Sequence, residues 1–553
     1  MHGALSCLLL LPFFVDFSAA LKLPLVKRSW SNTVSNWDAS SSASSSYGST
    51  KTYGTGVWGG NSVPETNIWN TNNAVYATEI TLGGSNYSVV LDTGSSDLWI
   101  GARQTPNPKL TNTTTVSANL SYSAGWAAGY IDFAEFSFGS YKVSSQAFLN
   151  ANKTYDLEAL SGYNLDGFIG LSFDQQSLLD GNLLNEWGSE TVLGRSVISN
   201  LFSQNPFLPN YITILLGRTG DLEDTSNGIF TVSEIPKDWE LIQNTTRIPR
   251  YPKDSSFWSL LLDGMHVNGV AWDGWKSSVQ GTPAGKAVAV LDSGFTHPKL
   301  PQAAVHAIYS QFPGAVLSDG IWFVPCNSSA NVTFSFGDWE YPIHPLDLTT
   351  VAYAPFSDGK NYTYCVNTYQ AAEEGAFNGE LDLILGQAFL RNTYALFNYG
   401  DRDVNGTLVS DPYVQLLALS IADDILDDYA KSRTQALSQL PPLATMDEIK
   451  AEIANHSSDL PSETSSGYAS YPTSANAPSS SGVSKDGKLS NALVDTDGSD
   501  AASQVLSKVD KFGPVVVGLL AGNILIGLAL LVLGVCLCIR RRRSVDEDGT
   551  YRD

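Results

Sequence analysis

The sequence predicts a mostly β body made of two comparable halves, followed by one apolar segment near the C-terminus. Three observations predict this arrangement. Short apolar runs alternate with Gly, Asn, Asp and Pro between residues 74 and 420, as in strands joined by turns. An apolar strand that ends in Asp, then Thr or Ser, then Gly occurs twice, 200 residues apart. The run from Phe512 to Ile539 carries no charge and is long enough to span a bilayer.

The N-terminal segment, residues 1–20, is typical of a signal peptide. Leu5 to Val15 is almost wholly apolar, and Ser18-Ala19-Ala20 offers small residues for cleavage. Residues 21–70 follow, rich in Ser, Thr, Asn and Gly, and neither a helical nor a strand period runs through them. We interpret them as a propeptide remnant or a flexible N-terminal segment.

The segment 421–511 is expected to be partly helical and then a Ser-rich stalk. Val414 to Lys431 and Thr445 to Ala454 have helix-like patterns, whereas 456–505 is rich in Ser, Asp and Pro, a composition typical of disorder.

Residues 512–539 are predicted to form a transmembrane helix, and residues 540–553 a cytosolic tail. Arg540 to Arg543 follow the apolar run at once, and the positive-inside rule places them in the cytosol. A GPI-anchor signal is the competing interpretation. Cys536 and Cys538 are either palmitoylation sites or ordinary apolar positions of the helix.

The charge balance argues against a nucleic-acid partner. The formal net charge is −23, whereas phosphate binding needs clustered Lys and Arg. Such an excess suits a protein that works in acid, and equally a plain solvated acidic surface. We expect no metal or cofactor, because neither a CxxC pair nor an HExxH motif is present.

Two features predict a body that lies outside the cytosol. Cys326 and Cys365 are the only cysteines outside the apolar ends, and one pair in a secretory protein is expected to form a disulfide. Ten Asn-X-Ser/Thr sequons predict glycosylation: Asn86, Asn112, Asn119, Asn152, Asn244, Asn327, Asn331, Asn361, Asn405 and Asn455.

The repeated motif carries the chemistry, in Val89–Trp99 around Asp92 and in Val288–Thr296 around Asp292. An apolar strand brings the carboxylate to a buried, rigid place, and the glycine lets the backbone turn and approach the other copy. The small hydroxyl residue can hydrogen-bond an aspartate oxygen. One such motif is a common structural ending, but two at this spacing are specific.

These motifs resemble the pepsin-like aspartic proteases, particularly the fungal membrane-anchored type, over about residues 74–420. Asp166–Leu171 and Leu383–Gly386 resemble the apolar-apolar-Gly element of each lobe, and Leu385–Arg391 resembles the late signature of the family. The resemblance implies a bilobal pepsin-like fold with pseudo-two-fold lobes. Residues 71–420 are then the protease domain, with lobes of about 71–245 and 246–420.

The resemblance also implies an aspartic endopeptidase with an acidic pH optimum, in which Asp92 and Asp292 activate a water. Proteins or peptides are the implied substrates of a monomer whose body lies at the cell surface or in an acidic secretory or vacuolar compartment. Tyr122 and Gly125 match the flap hairpin, and Trp99 either bonds the flap tyrosine or is a plain core residue. The remaining implied residues shape the two catalytic loops: Thr93, Gly94, Ser95, Ser293 and Gly294.

Two positions depart from the family pattern. Phe295 replaces the hydroxyl residue expected three positions after Asp292, unless Thr296 reaches that carboxyl, and the missing bond predicts altered pH dependence. Gln387 stands where many relatives have Asp. Phe295 keeps open an inactive relative that binds peptides or serves a structural role, and the stalk keeps open a surface adhesin.

Overall fold

The computed structural model describes residues 66–71, 73–101, 106–123, 125–157, 160, 162–188, 191–204, 206–219, 227–373, 375–401, 409–420 and 425–457. All of them belong to the first of two compact units, Met1–Ala477. The predicted signal peptide, Ser-rich stalk, apolar segment 512–539 and cytosolic tail lie outside the described residues, as do Asn405, Cys536 and Cys538. Of the helices that are described, none is both long and apolar enough to span a bilayer.

Among the residues that the structure describes, ten strands build the first half of the body. In the long strand Leu110–Ser121 exposed and less exposed residues largely alternate, as expected of a strand with one face to solvent, whereas the short strand Leu98–Ile100 is buried throughout. The strands are β1 Thr66–Thr71, β2 Val75–Leu82, β3 Ser85–Asp92, β4 Leu98–Ile100, β5 Leu110–Ser121, β6 Trp126–Phe138, β7 Tyr141–Tyr155, β8 Gly167–Gly170, β9 Tyr211–Leu215 and β10 Asn227–Val232.

The second half contributes shorter strands in several smaller sheets. They are β11 Ile248–Pro249, β12 Ser259–Leu262, β13 Gly264–Val267, β14 Val270–Trp272, β15 Ala287–Leu291, β16 Lys299–Leu300, β17 Val316–Ser318, β18 Ile321–Val324, β19 Val332–Phe336, β20 Trp339–Ile343, β21 Thr349–Pro355, β22 Asn361–Asn367, β23 Gln370–Ala371, β24 Leu383–Leu385, β25 Thr393–Asn398 and β26 Tyr413–Ala418. The prediction of a mostly β body is therefore confirmed.

One large sheet joins the two halves. Its order is β11-β26-β25-β9-β10-β1-β2-β3-β8-β4-β7-β6-β5, and β25 pairs antiparallel with β9. Three further sheets complete the second half: β12-β15-β24-β16-β23, β14-β13-β19-β20 and β17-β18-β22-β21. One buried apolar cluster extends through both halves, from Ile68 to Leu416, and further clusters lie beside it, such as the one around Trp99 and Ile131.

The helices within the described residues are short. They are α1 Leu178–Trp187, α2 Val197–Gln204, α3 Gln302–Tyr309, α4 Gln387–Leu390, α5 Ile425–Leu437 and α6 Met446–Ser457, with 3₁₀ turns at Asp174–Gln176, Lys237–Asn244 and Pro345–Asp347. α6 begins with a capping box, because the Thr445 hydroxyl accepts from the Glu448 N–H while the Glu448 carboxylate accepts from the Thr445 N–H.

Two local predictions differ from the structure. The helix predicted from Val414 to Lys431 is wrong over Val414–Ala418, which is part of β26 and pairs with β25 and β11. A short apolar run fits either element, and the neighbouring strands decide the outcome. β1 also lies within a segment for which no strand was predicted, and it is held by pairing with β10 and β2.

The predicted disulfide between Cys326 and Cys365 is confirmed. Helix α5 covers it. The Tyr429 hydroxyl lies 3.0 Å from the Cys326 carbonyl oxygen, and Arg433 Nη1 lies 3.3 Å from Cys365 Sγ. The helical part of segment 421–511 therefore packs on the second half of the body.

Candidate active site

The strands that carry the two aspartates are fully buried over their last residues. β3 ends at Asp92 and runs parallel to β8, with Asp92 opposite Gly170. β15 ends at Leu291, one residue before Asp292, and runs parallel to β24. The two elements predicted to support the catalytic loops, Asp166–Leu171 and Leu383–Gly386, therefore contain the strands that flank them.

Crossed hydrogen bonds tie the two loops together. Thr93 Oγ1 donates to the Leu291 carbonyl oxygen at 2.9 Å and accepts from the Ser293 N–H at 2.9 Å. Ser293 Oγ donates to the Leu91 carbonyl oxygen at 2.7 Å and accepts from the Thr93 N–H at 3.0 Å. Both side chains are fully buried, so this symmetric set of four bonds fixes the loops against each other.

The two glycines allow the loops to touch. A Cβ at Gly94 would overlap the Asp292 carboxyl group, and a Cβ at Gly294 would overlap the Asp92 carboxyl group. The reason for glycine here is therefore close approach. Each glycine N–H also donates to its own aspartate, at 2.9 Å from Gly94 to Asp92 and 2.8 Å from Gly294 to Asp292.

The structure places the carboxyl groups of Asp92 and Asp292 side by side: the point that a Cβ on Gly294 would occupy overlaps Asp92 Oδ1 and lies 3.3 Å from Asp292 Oδ1. Burial raises the pKa of Asp92, and hydrogen bonds from the Ser95 hydroxyl and the Gly94 N–H partly offset that effect. Burial and the negative charge of Asp92 together raise the pKa of Asp292 well above its usual range. The two carboxyl groups therefore differ in their hydrogen-bond donors but titrate as one unit that retains a proton.

The departure at Phe295 accounts for part of this asymmetry. Ser95 donates its hydroxyl to Asp92 Oδ2, and Phe295, at the same spacing from Asp292, has no hydroxyl to donate. Thr296 does not replace it, because its Oγ1 donates to the Ala74 carbonyl oxygen at 2.6 Å.

A glutamine amide supports each loop. Gln387 Nε2 donates to the Ser293 carbonyl oxygen at 2.8 Å, and Gln176 Nε2 donates to the Gly94 carbonyl oxygen at 2.9 Å. Gln387 therefore has a structural contact at the second motif. Gln176 was not found from the sequence, because it lies more than 80 residues from the loop it contacts and belongs to no motif.

The predicted flap residues lie together over the first loop. The Tyr122 ring stacks on Phe168 at 5.0 Å between centroids and lies 6.3 Å from the Trp99 ring. Burial, then the charges of Asp92 and Asp97, raise the pKa of the Tyr122 hydroxyl. Trp99 is fully buried, and its Nε1 forms no hydrogen bond with any described residue. Its contact with Tyr122 is therefore the packing of the two rings.

Gly125 closes the flap turn. Its φ is +78°, which favours glycine, and a side chain there would overlap the Tyr155 carbonyl oxygen. The Tyr122 N–H donates to the Gly125 carbonyl oxygen at 3.0 Å. The flap turn is therefore held against the end of β7.

A third buried carboxyl, Asp97, lies five positions after Asp92 and was not singled out from the sequence. It accepts from the Ser177 hydroxyl at 2.5 Å and from the Leu178 N–H at 2.9 Å, at the start of α1. Burial raises its pKa to about 6, even though these two hydrogen bonds lower it. Asp97 thus connects the first loop to α1, 80 residues away.

We expect Asp97→Asn to flatten the dependence of stability on pH. An unfolded aspartate has a pKa near 3.9, so the folded state holds this proton more tightly, and the free energy of unfolding falls as pH rises from about 4 to about 6. The full contribution is about 3 kcal/mol. Urea unfolding at pH 4, 5, 6 and 7 measures the effect. If the free energy of unfolding falls by the same amount between pH 4 and pH 6 in the variant and the wild type, this role for Asp97 is contradicted.

Two kinds of residue remain: the asparagines of the glycosylation sequons, which were predicted as sites, and His297, which was not. The nine sequon asparagines among the described residues are all exposed. His297 is partly buried, and burial with the charges of Arg391 and Lys299 lowers its pKa to about 4. The described residues hold no group of three or more His, Cys, Asp or Glu that could bind a metal ion.

Comparison with known proteins places the chain among aspartic proteases. It is 25% identical to the "Major aspartyl peptidase 1" of Cryptococcus neoformans over 59% of this chain and 67% of that protein. It is 25% identical to the "Aspartic-type endopeptidase ctsD" of Aspergillus fumigatus over 58% of this chain and 62% of that protein. It is 24% identical to the "Vacuolar protease A" of Neurospora crassa over 62% of this chain and 80% of that protein.

Among solved structures, the aspartic proteinase from Irpex lacteus aligns with 65% of this chain and 98% of its own, at 16% identity and a TM-score of 0.46. The sequence profile of the family described as "Eukaryotic aspartyl protease" matches residues 75–408. That match covers more than half of the 553 residues and includes both Asp-Thr/Ser-Gly loops and the hairpin predicted to be the flap. The chain therefore belongs to the eukaryotic aspartyl protease family and is an aspartic-type endopeptidase.

Proposed function

We propose that this endopeptidase hydrolyses peptide bonds with a water activated by Asp92 and Asp292. The observation that carries the proposal is the close approach of the two carboxyl groups, held by the crossed Thr93 and Ser293 bonds. Two carboxyl groups this close cannot both ionise at low cost, so the pair keeps one proton. The handling of one proton by two acids is what peptide hydrolysis requires.

The asymmetry of the pair assigns a role to each member. Asp92, with the Ser95 and Gly94 donors, is the better-stabilised carboxylate and accepts a proton from the water as its oxygen attacks the peptide carbonyl carbon. Asp292 gives its proton to the carbonyl oxygen, producing a tetrahedral diol. The proton taken by Asp92 then passes to the peptide nitrogen as the C–N bond breaks. A hydroxyl of the diol returns its proton to Asp292 in the same step, so the products are a carboxylic acid and an amine, and the pair again holds one proton.

The hairpin that carries Tyr122 is the proposed flap, which closes over the bound peptide. Tyr122 packs on Phe168 and Trp99, and its pKa responds to the charge of Asp92, so it lies near the pair. Closing such a hairpin over a bound peptide excludes bulk water and strengthens the electrostatic interactions beneath it.

The direct test is cleavage of unfolded protein substrates between pH 3 and pH 7, with and without pepstatin. We expect cleavage that is greatest in acid and is blocked by the inhibitor, because activity requires the singly protonated pair. Absence of cleavage at every pH, in a protein that unfolds cooperatively, would favour the alternative of an impaired relative that binds peptides.

Phe295→Ser is expected to move the basic limb of the pH profile of kcat/KM toward lower pH. A new hydroxyl donor stabilises the charged form of Asp292 and lowers its pKa, so the last proton of the pair leaves in more acidic solution. Thr296→Val is the matched control, because that hydroxyl donates to Ala74 and not to the pair. The explanation fails if Phe295→Ser leaves the profile unchanged or if Thr296→Val shifts it equally.

We further propose that the body is glycosylated and lies outside the cytosol, anchored by segment 512–539. The exposure of nine sequon asparagines and the absence of charge in that segment support this arrangement. Protease protection of sealed vesicles and a mobility shift on deglycosylation test it. A body that is digested from the cytosolic side would contradict it.

A further inference from the structure

A stack of two aromatic rings lies on the outer face of the flap. Trp126 is the first residue of β6 and pairs directly with Tyr155, the last residue of β7. Their rings are stacked, with 6.1 Å between centroids and 17° between planes. This is the terminal pair of the β6–β7 ladder, the one nearest to the flap turn.

The stack lies on the opposite face of the hairpin from Tyr122. Tyr122 and Gly125 close the turn, and Ser121 and Trp126 form the next pair, so the side chains of Tyr122 and Trp126 point to opposite faces. Tyr122 faces inward to Phe168, whereas Tyr155 is 62% exposed. The stack is therefore on the solvent-exposed face of the hairpin, away from the face that carries Tyr122.

The flap turn depends on the end of β7 for its position. Gly125 approaches the Tyr155 carbonyl so closely that no side chain fits between them. Asp156, immediately after Tyr155, turns away with a φ of +55°, so the ladder ends at this pair. Terminal pairs fray most readily, and the stack is the cross-strand side-chain contact that holds this one closed.

We propose that Trp126 and Tyr155 are positioning residues that keep the flap in the orientation that places Tyr122 over the active site. The proposal rests on the proposed role of Tyr122. Loss of the stack lowers the fraction of molecules with a correctly placed flap, and apparent substrate affinity falls with that fraction. Once the flap has closed on a peptide, the chemical step is unchanged.

The kinetic test uses Trp126→Ala, Tyr155→Ala and the double variant. We expect each single variant to raise KM by about two- to fivefold with kcat within about twofold, and the double variant to show no further rise, because both singles break one contact. Trp126→Phe retains a ring and should restore most of the affinity. A double variant whose rise equals the product of the two single rises would overturn the proposal.

Trp187→Ala is the matched control. Trp187 also stacks on a β6 residue, Phe133, with 6.1 Å between centroids and 20° between planes, and it is 42% exposed. Trp187 is the last residue of α1, and the residue it stacks on, Phe133, is seven residues along β6 from Trp126. We expect its loss to leave KM unchanged, and an equal rise would reduce the stack at Trp126 to a general stabilising contact.

Hydrogen exchange gives a readout that does not depend on catalysis. Amides of residues 119–128 should exchange faster in Trp126→Ala than in the wild type and Trp187→Ala. Unchanged exchange there would overturn the proposal even if the enzyme is active. Faster exchange in a protein that cleaves nothing would support the flap contact while contradicting the proposed function.

Discussion

Asp92→Asn is expected to abolish peptide cleavage, with a loss in kcat of about 10⁴-fold, the upper range for removal of a general acid or base. An amide cannot accept the proton of the attacking water, although it fits the same space and can still accept from the Gly94 N–H. Asp292→Asn should produce an equal loss, since the pair works as one unit. Initial rates at several acidic pH values measure both.

The matched control for these variants is Asp132→Asn. Asp132 is also buried, lies within β6, and accepts from Asn150 Nδ2 at 2.9 Å, so the same atoms change elsewhere in the lobe. Its kcat should stay within about twofold of the wild type, because the substitution leaves the catalytic pair intact. A folded Asp92→Asn protein that retains a tenth or more of the wild-type rate would refute the assignment of Asp92.

Of the substitutions considered for stability, Asp347→Ala should cause the largest loss, about 3–5 kcal/mol in the free energy of unfolding. Asp347 is 1% exposed and pairs with Arg218 Nη2 at 2.5 Å and Arg391 Nε at 2.6 Å. It also accepts from Asn392 Nδ2 at 2.9 Å. Removing the carboxylate leaves two guanidinium groups buried without their shared counter-charge. Urea unfolding of both proteins at one pH measures the difference.

Asp411→Ala provides the comparison, because the Lys253–Asp411 pair has a similar distance of 2.9 Å but both side chains are more than half exposed. Its loss should cost under about 1 kcal/mol. The charges of Arg218 and Arg391 hold the pKa of Asp347 well below its usual range, although burial opposes them. The stability that this carboxylate contributes is therefore fully present above the unfolded pKa near 4 and is lost progressively as the pH falls below it toward the folded pKa. Similar losses in the two variants would contradict the role of burial.

The catalytic loops could be predicted from the sequence because their residues are local. An apolar strand, an aspartate, a hydroxyl residue and a glycine stand side by side, and the repeat after 200 residues indicates a pair. The sequence did not specify which atoms of the two loops bond. The crossed hydrogen bonds of Thr93 and Ser293 depend on how the two halves pack against each other. The spacing of residues within either half carries no information about that packing.

Residues that act through distant contacts were the ones missed. Asp97 lies inside the first motif, Val89–Trp99, but its importance comes from Ser177 and Leu178, 80 and 81 residues later. Trp126 was not predicted to have a role, since nothing in its local sequence indicates that Tyr155 lies opposite. The strand assignment of Val414–Ala418 likewise depends on β25, because the same apolar letters fit a helix.

The direct pairing of β25 with β9 determines what a separated half could be. Five backbone pairs cross between the halves there, from Tyr394–Leu215 to Asn398–Tyr211. A gene fragment that encodes either half would yield a chain with an open strand edge in the middle of what should be a continuous ladder. Such a fragment would recover its missing partners only from a second polypeptide, so complementation between the two fragments, or aggregation of each alone, is built into this architecture.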